Sequence, residues 1–213
     1  AIQNKAGAFV SNPAIRNIIG QPHSTIHPQR IMDSGKVFIC NLAKGKLGED
    51  TSALLGALLT TGFGQAAQGR AKIPEHERRD FTLYIDEFQN FTTGSFATIL
   101  AEARKYRLGL VMAHQFMSQV PEYLQDAVIG TANTTIVFRV GARDAPLLAS
   151  ELGLENETVL KDLANFEAWV KSAADGGAGN PRLIQIAEAG GSSGRLAAVR
   201  NRTHARYARP REM

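Results

Sequence analysis

Phe81-Thr82-Leu83-Tyr84-Ile85-Asp86-Glu87-Phe88-Gln89-Asn90-Phe91 is the stretch on which the reading of this chain turns. Its first half is an apolar, β-prone run of the kind that forms a strand inside a sheet. Asp86 and Glu87 close it. A carboxylate pair within such a run is costly to bury without partners. At the run's end, both carboxylates reach the crevice along the carboxyl edge of a parallel sheet, where open α/β folds bind ligands. That is the place of the Asp that helps hold Mg²⁺ in nucleotide-hydrolysing enzymes, with the next Glu set to orient or deprotonate the attacking water. The plainer alternative is a strand that ends in acidic surface residues.

Outward from this stretch the pattern alternates. Before it, Val37 to Leu42 reads as a buried strand after the turn Asp33-Ser34-Gly35. A loop follows at 43–48, then a helix from Ala53 to Gln68 whose leucines cover more than one face, as in a helix packed on a sheet. After it come an amphipathic helix from Ser95 to Tyr106 and a strand from Gly109 to Ala113. A short helix opened by Pro121, a strand from Thr134 to Val140 and a helix from Ala145 to Leu152 complete the alternation. Strands alternating with helices predict an α/β fold, a parallel sheet with helices on both faces. Phe166 to Ser172 and Arg182 to Ile186 read as an edge β-hairpin around the glycine-rich run 175–180. The expected divisions are a core over 1–160, the hairpin over 161–189, and a flexible basic tail over 190–213.

The 213 residues, 44% hydrophobic and 21% charged, suit one globular domain with a substantial core. The single cysteine, Cys40, excludes an internal disulfide and a cysteine zinc cluster, and its apolar run predicts a buried structural thiol. No apolar run approaches a transmembrane length. Residues 195–213 hold six arginines against Glu212 alone, a balance of +5, so the remainder stands at −1 within the net +4. Such a tail suits nucleic acid or an acidic partner, or serves as a solvated end.

The phosphate cradle of nucleotide-hydrolysing domains, G-x-x-x-x-G-K-[ST], is absent from the chain. Gly45 to Gly48 remains as a loop that could cradle an anion at the next helix's start, or a tight strand-to-helix turn. Gln115 follows the Gly109–Ala113 strand, where an amide can bond a γ-phosphate or the attacking water, or cap a helix. Arg139 and Arg143 end the next strand; an Arg there can stabilise transition-state charge in its own or a neighbouring subunit. A surface ion pair with Asp144 is the alternative for Arg143. The order of these groups along successive strand ends is more informative than any one of them.

In that order the chain resembles the type IV secretion coupling proteins and their HerA/FtsK-like motor relatives. The resemblance is carried by VFICNLAKGKLGEDTSALLG at 37–56, LYIDEFQNF at 83–91, ILAEARKYRLGLVMAHQF at 99–116 and TTIVFRVGARDA at 134–145. LANFEAWVK at 163–171 and RNRTHARYARP at 200–210 continue it. It implies a RecA-like core in which Asp86 helps hold the Mg²⁺ of Mg-ATP, Glu87 activates water and Gln115 senses the γ-phosphate. Arg139 or Arg143 would act across a subunit boundary. It further implies a homo-hexameric ring that moves DNA without reading its sequence. Such a ring would stand in the cytoplasm, at the face of the bacterial inner membrane where an anchor is present, and serve relaxase or secretion-channel partners. With no phosphate loop, the expectation is the carboxyl-terminal part of a longer motor, inactive alone. Two other readings stay open: a non-catalytic module that docks secretion partners, and a domain of a HerA-like DNA-processing helicase.

Overall fold

Proline opens the first two helices, as its fixed φ and missing N–H allow. In the computed structural model, which describes residues 12–173, 179–191 and 193–209, these are α1 (Pro13–Ile19) and α2 (Pro28–Asp33). The chain then passes through 36–43 in extended form to a four-residue helix, α3 (Lys44–Leu47), and the 21-residue α4 (Glu49–Gly69). β1 (Phe81–Ile85) comes next, then a 3₁₀ turn at Phe88–Phe91, then α5 (Phe96–Glu102), which tightens into a 3₁₀ turn at Ala103–Tyr106. β2 (Leu108–Met112) lies parallel to β1, in register from Phe81 opposite Leu108 to Ile85 opposite Met112. Parallel neighbours need a crossover, and α5 supplies it.

One face of this strand pair is the core. Phe81, Leu83, Leu108 and Leu110 pack with Met32 of α2, Phe63 and Ala67 of α4, and Ile99, Ala103 and Tyr106. On the other face Tyr84 and Val111, opposite each other in register, point outward. α4 approaches its neighbours closely at two of its glycines. A Cβ on Gly56 would strike the Phe91 ring, and one on Gly64 the Ile99 Cδ1 methyl. Just past α4, the fully buried Arg70 donates through Nε to Asp33 Oδ1 at 2.9 Å. Its Nη1 donates to the carbonyls of Arg79 at 3.0 Å and Tyr106 at 3.1 Å. One guanidinium thus ties α2, the approach to β1 and the approach to β2 together.

The second compact unit runs from His114 to residue 192 and is built around an antiparallel sheet. α6 (Glu122–Thr131) precedes β3 (Thr134–Val137), followed by α7 (Ala145–Leu152), α8 (Thr158–Lys161), β4 (Glu167–Ser172) and β5 (Arg182–Gln185). The strand order is β3-β4-β5, with Val137 opposite Trp169 and Trp169 opposite Leu183. Its core gathers Val137, Leu148, Ala149, Leu152, Leu160 and Leu163. The hairpin expected over 166–186 is present as β4 and β5, and most of its glycine-rich connection lies outside the described residues. The chain then returns to the first unit as α9 (Leu196–Tyr207), a 12-residue helix with no buried side chain. No helix among the described residues is long and apolar enough to cross a membrane.

Three expectations are corrected. Val37 to Leu42 is not a paired strand: Val37 is 88% exposed and Ile39 85%, while Phe38 turns inward, its ring 5.8 Å from that of Phe63, and Leu42 is half-buried. The segment's apolar character is real, but none of its backbone enters a ladder with β1 or β2. Cys40, on the same segment, is exposed rather than buried, although desolvation by its surroundings pushes the thiol pKa up. The strand expected over 134–140 stops at Val137, its partner being the antiparallel β4, and Val140 N–H donates instead to the Leu160 carbonyl at 3.1 Å.

Candidate functional site

The β1–β2 ladder does not stop at Ile85; it steps over two residues. Ala113 N–H donates to the Ile85 carbonyl at 3.0 Å, and Phe88 N–H donates to the Ala113 carbonyl at 3.1 Å. Asp86 and Glu87 therefore lift off the carboxyl end of the sheet as a loop closed over Ala113. Asp86 is exposed and Glu87 half-buried. Glu87 sits at φ 50°, ψ 46°, the left-handed region, which costs a non-glycine residue about 1–2 kcal/mol. Such strain persists where surrounding contacts hold it, and it gathers at functional sites.

Those contacts begin with the aromatic residues of the motif. Phe88 is fully buried and stacks on Phe96, ring centroids 6.0 Å apart. Phe91 fills the space over Gly56, and its carbonyl accepts from Thr60 Oγ1 at 3.3 Å. Burying an aromatic side chain of this size is worth about 1.5–3 kcal/mol, more than the strain it opposes. Between the two rings, Gln89 Nε2 donates to Glu87 Oε2 at 2.7 Å. Asn90 donates to the Glu87 carbonyl twice, from its backbone N–H at 3.0 Å and from Nδ2 at 3.1 Å. Gln89 and Asn90 were not singled out from sequence; their signal was only that two amides directly follow the carboxylate pair.

The loop at 43–48 does not form an anion cradle. Lys44 to Leu47 closes as a single helical turn, and α4 begins with Glu49 and Asp50 in its first turn, which disfavours an anion there. The Lys44 ammonium instead donates to Glu49 Oε1 and to Asn90 Oδ1, each at 2.9 Å.

Gln115, Arg139 and Arg143 belong to the other unit. Gln115 is exposed, two residues beyond the end of the β1–β2 ladder. Arg139 and Arg143 both lie in the exposed connection between β3 and α7, not on the strand itself. The ion pair weighed for Arg143 with Asp144 is not formed. Asp144 is buried and its Oδ2 accepts from Met117 N–H at 3.1 Å, while Ala145 and Asp144 N–H close the turn on the Gly141 carbonyl. The structure thus joins Asp86 and Glu87 in one loop, and Arg139 with Arg143 in another. Among the described residues, no group of three or more His, Cys, Asp or Glu side chains is arranged to hold a metal.

Residues 80–166 match the family described as the TraM recognition site of TraD and TraG. No curated protein matches the chain. Among solved structures, the genome packaging NTPase B204 from Sulfolobus turreted icosahedral virus 2, in complex with ATP-gammaS, superposes with a TM-score of 0.51 at 13% identity. The overlap covers 78% of this chain and 74% of that one. The bacterial conjugative coupling protein TrwBdeltaN70, in its unbound monoclinic form, gives a TM-score of 0.54 at 13% identity, over 78% of this chain and 40% of that one. This chain therefore spans well under half the length of that coupling protein. At these identities the likeness is one of fold, and the fold is the mixed α/β, RecA-like arrangement expected from the sequence. The part of the chain that matches the family described as the TraM recognition site of TraD and TraG thus holds the carboxylate loop, β2, α6, β3, α7 and α8.

Proposed function

We propose that this chain is part of an ATP-driven DNA translocase of the conjugation and type IV secretion coupling kind. The observation that carries the reading is the Asp86–Glu87 loop: two carboxylates raised at the carboxyl end of a parallel strand, one of them in a strained conformation. Both lie inside the segment that matches the coupling-protein family. Asp86 is exposed and its carboxylate is a hard oxygen donor, which suits Mg²⁺. That ion is usually held by one or two carboxylates together with water and substrate phosphates rather than by a full protein cage. Bound there, Mg²⁺ would neutralise charge on the phosphates of ATP. Glu87 takes the proton of the attacking water or orients it. Gln115 reports the γ-phosphate. Arg139 or Arg143, presented on an exposed loop, completes the site of a neighbouring subunit in a homo-hexameric ring. The ring grips the DNA backbone without reading sequence, at the cytoplasmic face of the inner membrane, and hands its substrate to relaxase or secretion-channel proteins. The family's own description, a recognition site for TraM, supports a partner of that class docking on residues 80–166.

In the full-length protein, Glu87→Gln is expected to abolish turnover while ATP remains bound, because only the base is lost. Steady-state hydrolysis and nucleotide affinity measured side by side decide it. Hydrolysis near that of the unsubstituted protein overturns the role given to Glu87.

A further inference from the structure

We infer that Lys44 is a positioning residue for Glu87, acting through Asn90. The inference rests on the reading of Glu87 as the residue that activates water. An ammonium can only donate hydrogen bonds. By donating to Asn90 Oδ1 at 2.9 Å, Lys44 therefore decides which way the Asn90 carboxamide faces. The oxygen is held toward Lys44, and the NH₂ is left to meet the Glu87 carbonyl at 3.1 Å. With the Asn90 backbone N–H on the same carbonyl at 3.0 Å, the peptide that follows Glu87 is gripped twice. This is the peptide whose orientation defines the left-handed ψ of 46°. The Glu87 carboxylate is held separately, by Gln89 Nε2 at 2.7 Å. The residue's backbone is thus set through Asn90, and its side chain by Gln89.

The cation in this arrangement is not local. Lys44 stands 46 positions before Asn90, on the single-turn helix ahead of α4. Its other partner, Glu49, is 75% exposed at the side chain, and Lys44 itself is 44% exposed. An exposed ion pair of that kind contributes little and exchanges readily. The bond from Lys44 to Asn90 is the one that reaches the strained turn. A lysine that served only the Glu49 ion pair would have no bearing on Glu87, and this gives the test its contrast.

The experiment uses the full-length protein with Lys44→Met, Lys44→Arg and Glu49→Gln, and two measurements. Hydrogen exchange of the backbone amides over 86–91 is followed without nucleotide, and steady-state ATP hydrolysis gives kcat and KM. Lys44→Met is expected to speed exchange at Phe88 and Asn90 and to lower kcat about ten-fold, with KM changed by less than about two-fold. Lys44→Arg, which still donates, is expected to recover most of both. Glu49→Gln is expected to leave both as they are. The proposal is overturned if Lys44→Met leaves exchange or kcat unaltered, if it raises KM alone, or if Glu49→Gln reproduces its effects. Failure of the underlying reading has a different signature. Glu87→Gln would then retain hydrolysis, while the exchange measurement, which needs no nucleotide, still shows whether Lys44 holds the turn.

Discussion

The two units hold the charged groups of their candidate sites in different ways. In the first, charge and polar bonding are drawn into the frame: Arg70 is fully buried among Asp33 and two carbonyls, and the Glu87 turn is gripped by Gln89, Asn90 and Lys44. In the second, one buried carboxylate, Asp144, closes the base of a connection by taking the Met117 N–H, and Arg139 and Arg143 are left exposed on that connection. A group that must stand at a fixed place beside its own strand needs such a rigid surround. A group meant for another molecule needs exposure. Under the proposed function, the carboxylates act beside their own strand and the arginines on a neighbouring molecule.

The sharpest way to break that comparison is to remove the buried cation. Arg70→Met leaves Asp33 without its partner and strands the Arg79 and Tyr106 carbonyls. Loss of one member of a buried pair costs about 3–5 kcal/mol. Asp33 keeps about a third of its side chain exposed (35%), so solvent takes up part of its charge and the lower end of that range is expected. Chemical denaturation followed by circular dichroism measures it through the shift in midpoint. A loss under about 1 kcal/mol would mean that Arg70 fills space without tying the unit together.

Two glycines of α4 sharpen the comparison at smaller magnitude. Alanine gains about 1 kcal/mol over glycine in a helix interior when nothing obstructs it. At Gly56 the new methyl meets the ring of Phe91, wedged beside the Glu87 turn, and a ring cannot fold away. Overpacking there costs about 1–3 kcal/mol, so Gly56→Ala is expected to be destabilising on balance. At Gly64 the obstacle is the terminal methyl of Ile99, which can change rotamer. Gly64→Ala is therefore expected to be close to neutral. Equal effects from the two substitutions would remove the distinction between the turn side of α4 and its α5 side.

Much of this was legible in the sequence, and the limits have physical causes. The helix at 145–152, the strand ending at Ile85 and the carboxylate pair beyond it all follow from local patterning. What local patterning does not carry is the partner. Val37 to Leu42 has the composition of a buried strand, and composition states that its side chains gain from burial, not that a strand edge lies beside it. The run at 134–140 reads as a strand, but an apolar run is the same whether its neighbour lies parallel or antiparallel. Nothing near Arg70 in sequence announces Asp33, 37 positions away. The Lys44–Asn90 bond joins residues 46 positions apart and leaves no local signal for the same reason.

The smallest expected effect on the fold comes from the basic end. α9 buries none of its 12 residues, although it carries Arg200, Arg202 and Arg206 with Arg195 and Arg209 beside it. A helix that buries no side chain adds little to stability, so truncation after Gly194 is expected to lower it by no more than a surface substitution does, about 0.5 kcal/mol. Its effect on nucleic acid is another matter. Each phosphate neutralised by an arginine adds about 0.9 to the slope of log affinity against log salt on duplex DNA. With six arginines removed against one glutamate, that slope is expected to flatten, and affinity to fall most at low salt. An unchanged salt slope would place the DNA contact elsewhere, on the exposed Arg139 and Arg143 connection first, and would make that connection rather than α9 the outward-facing charge of the molecule.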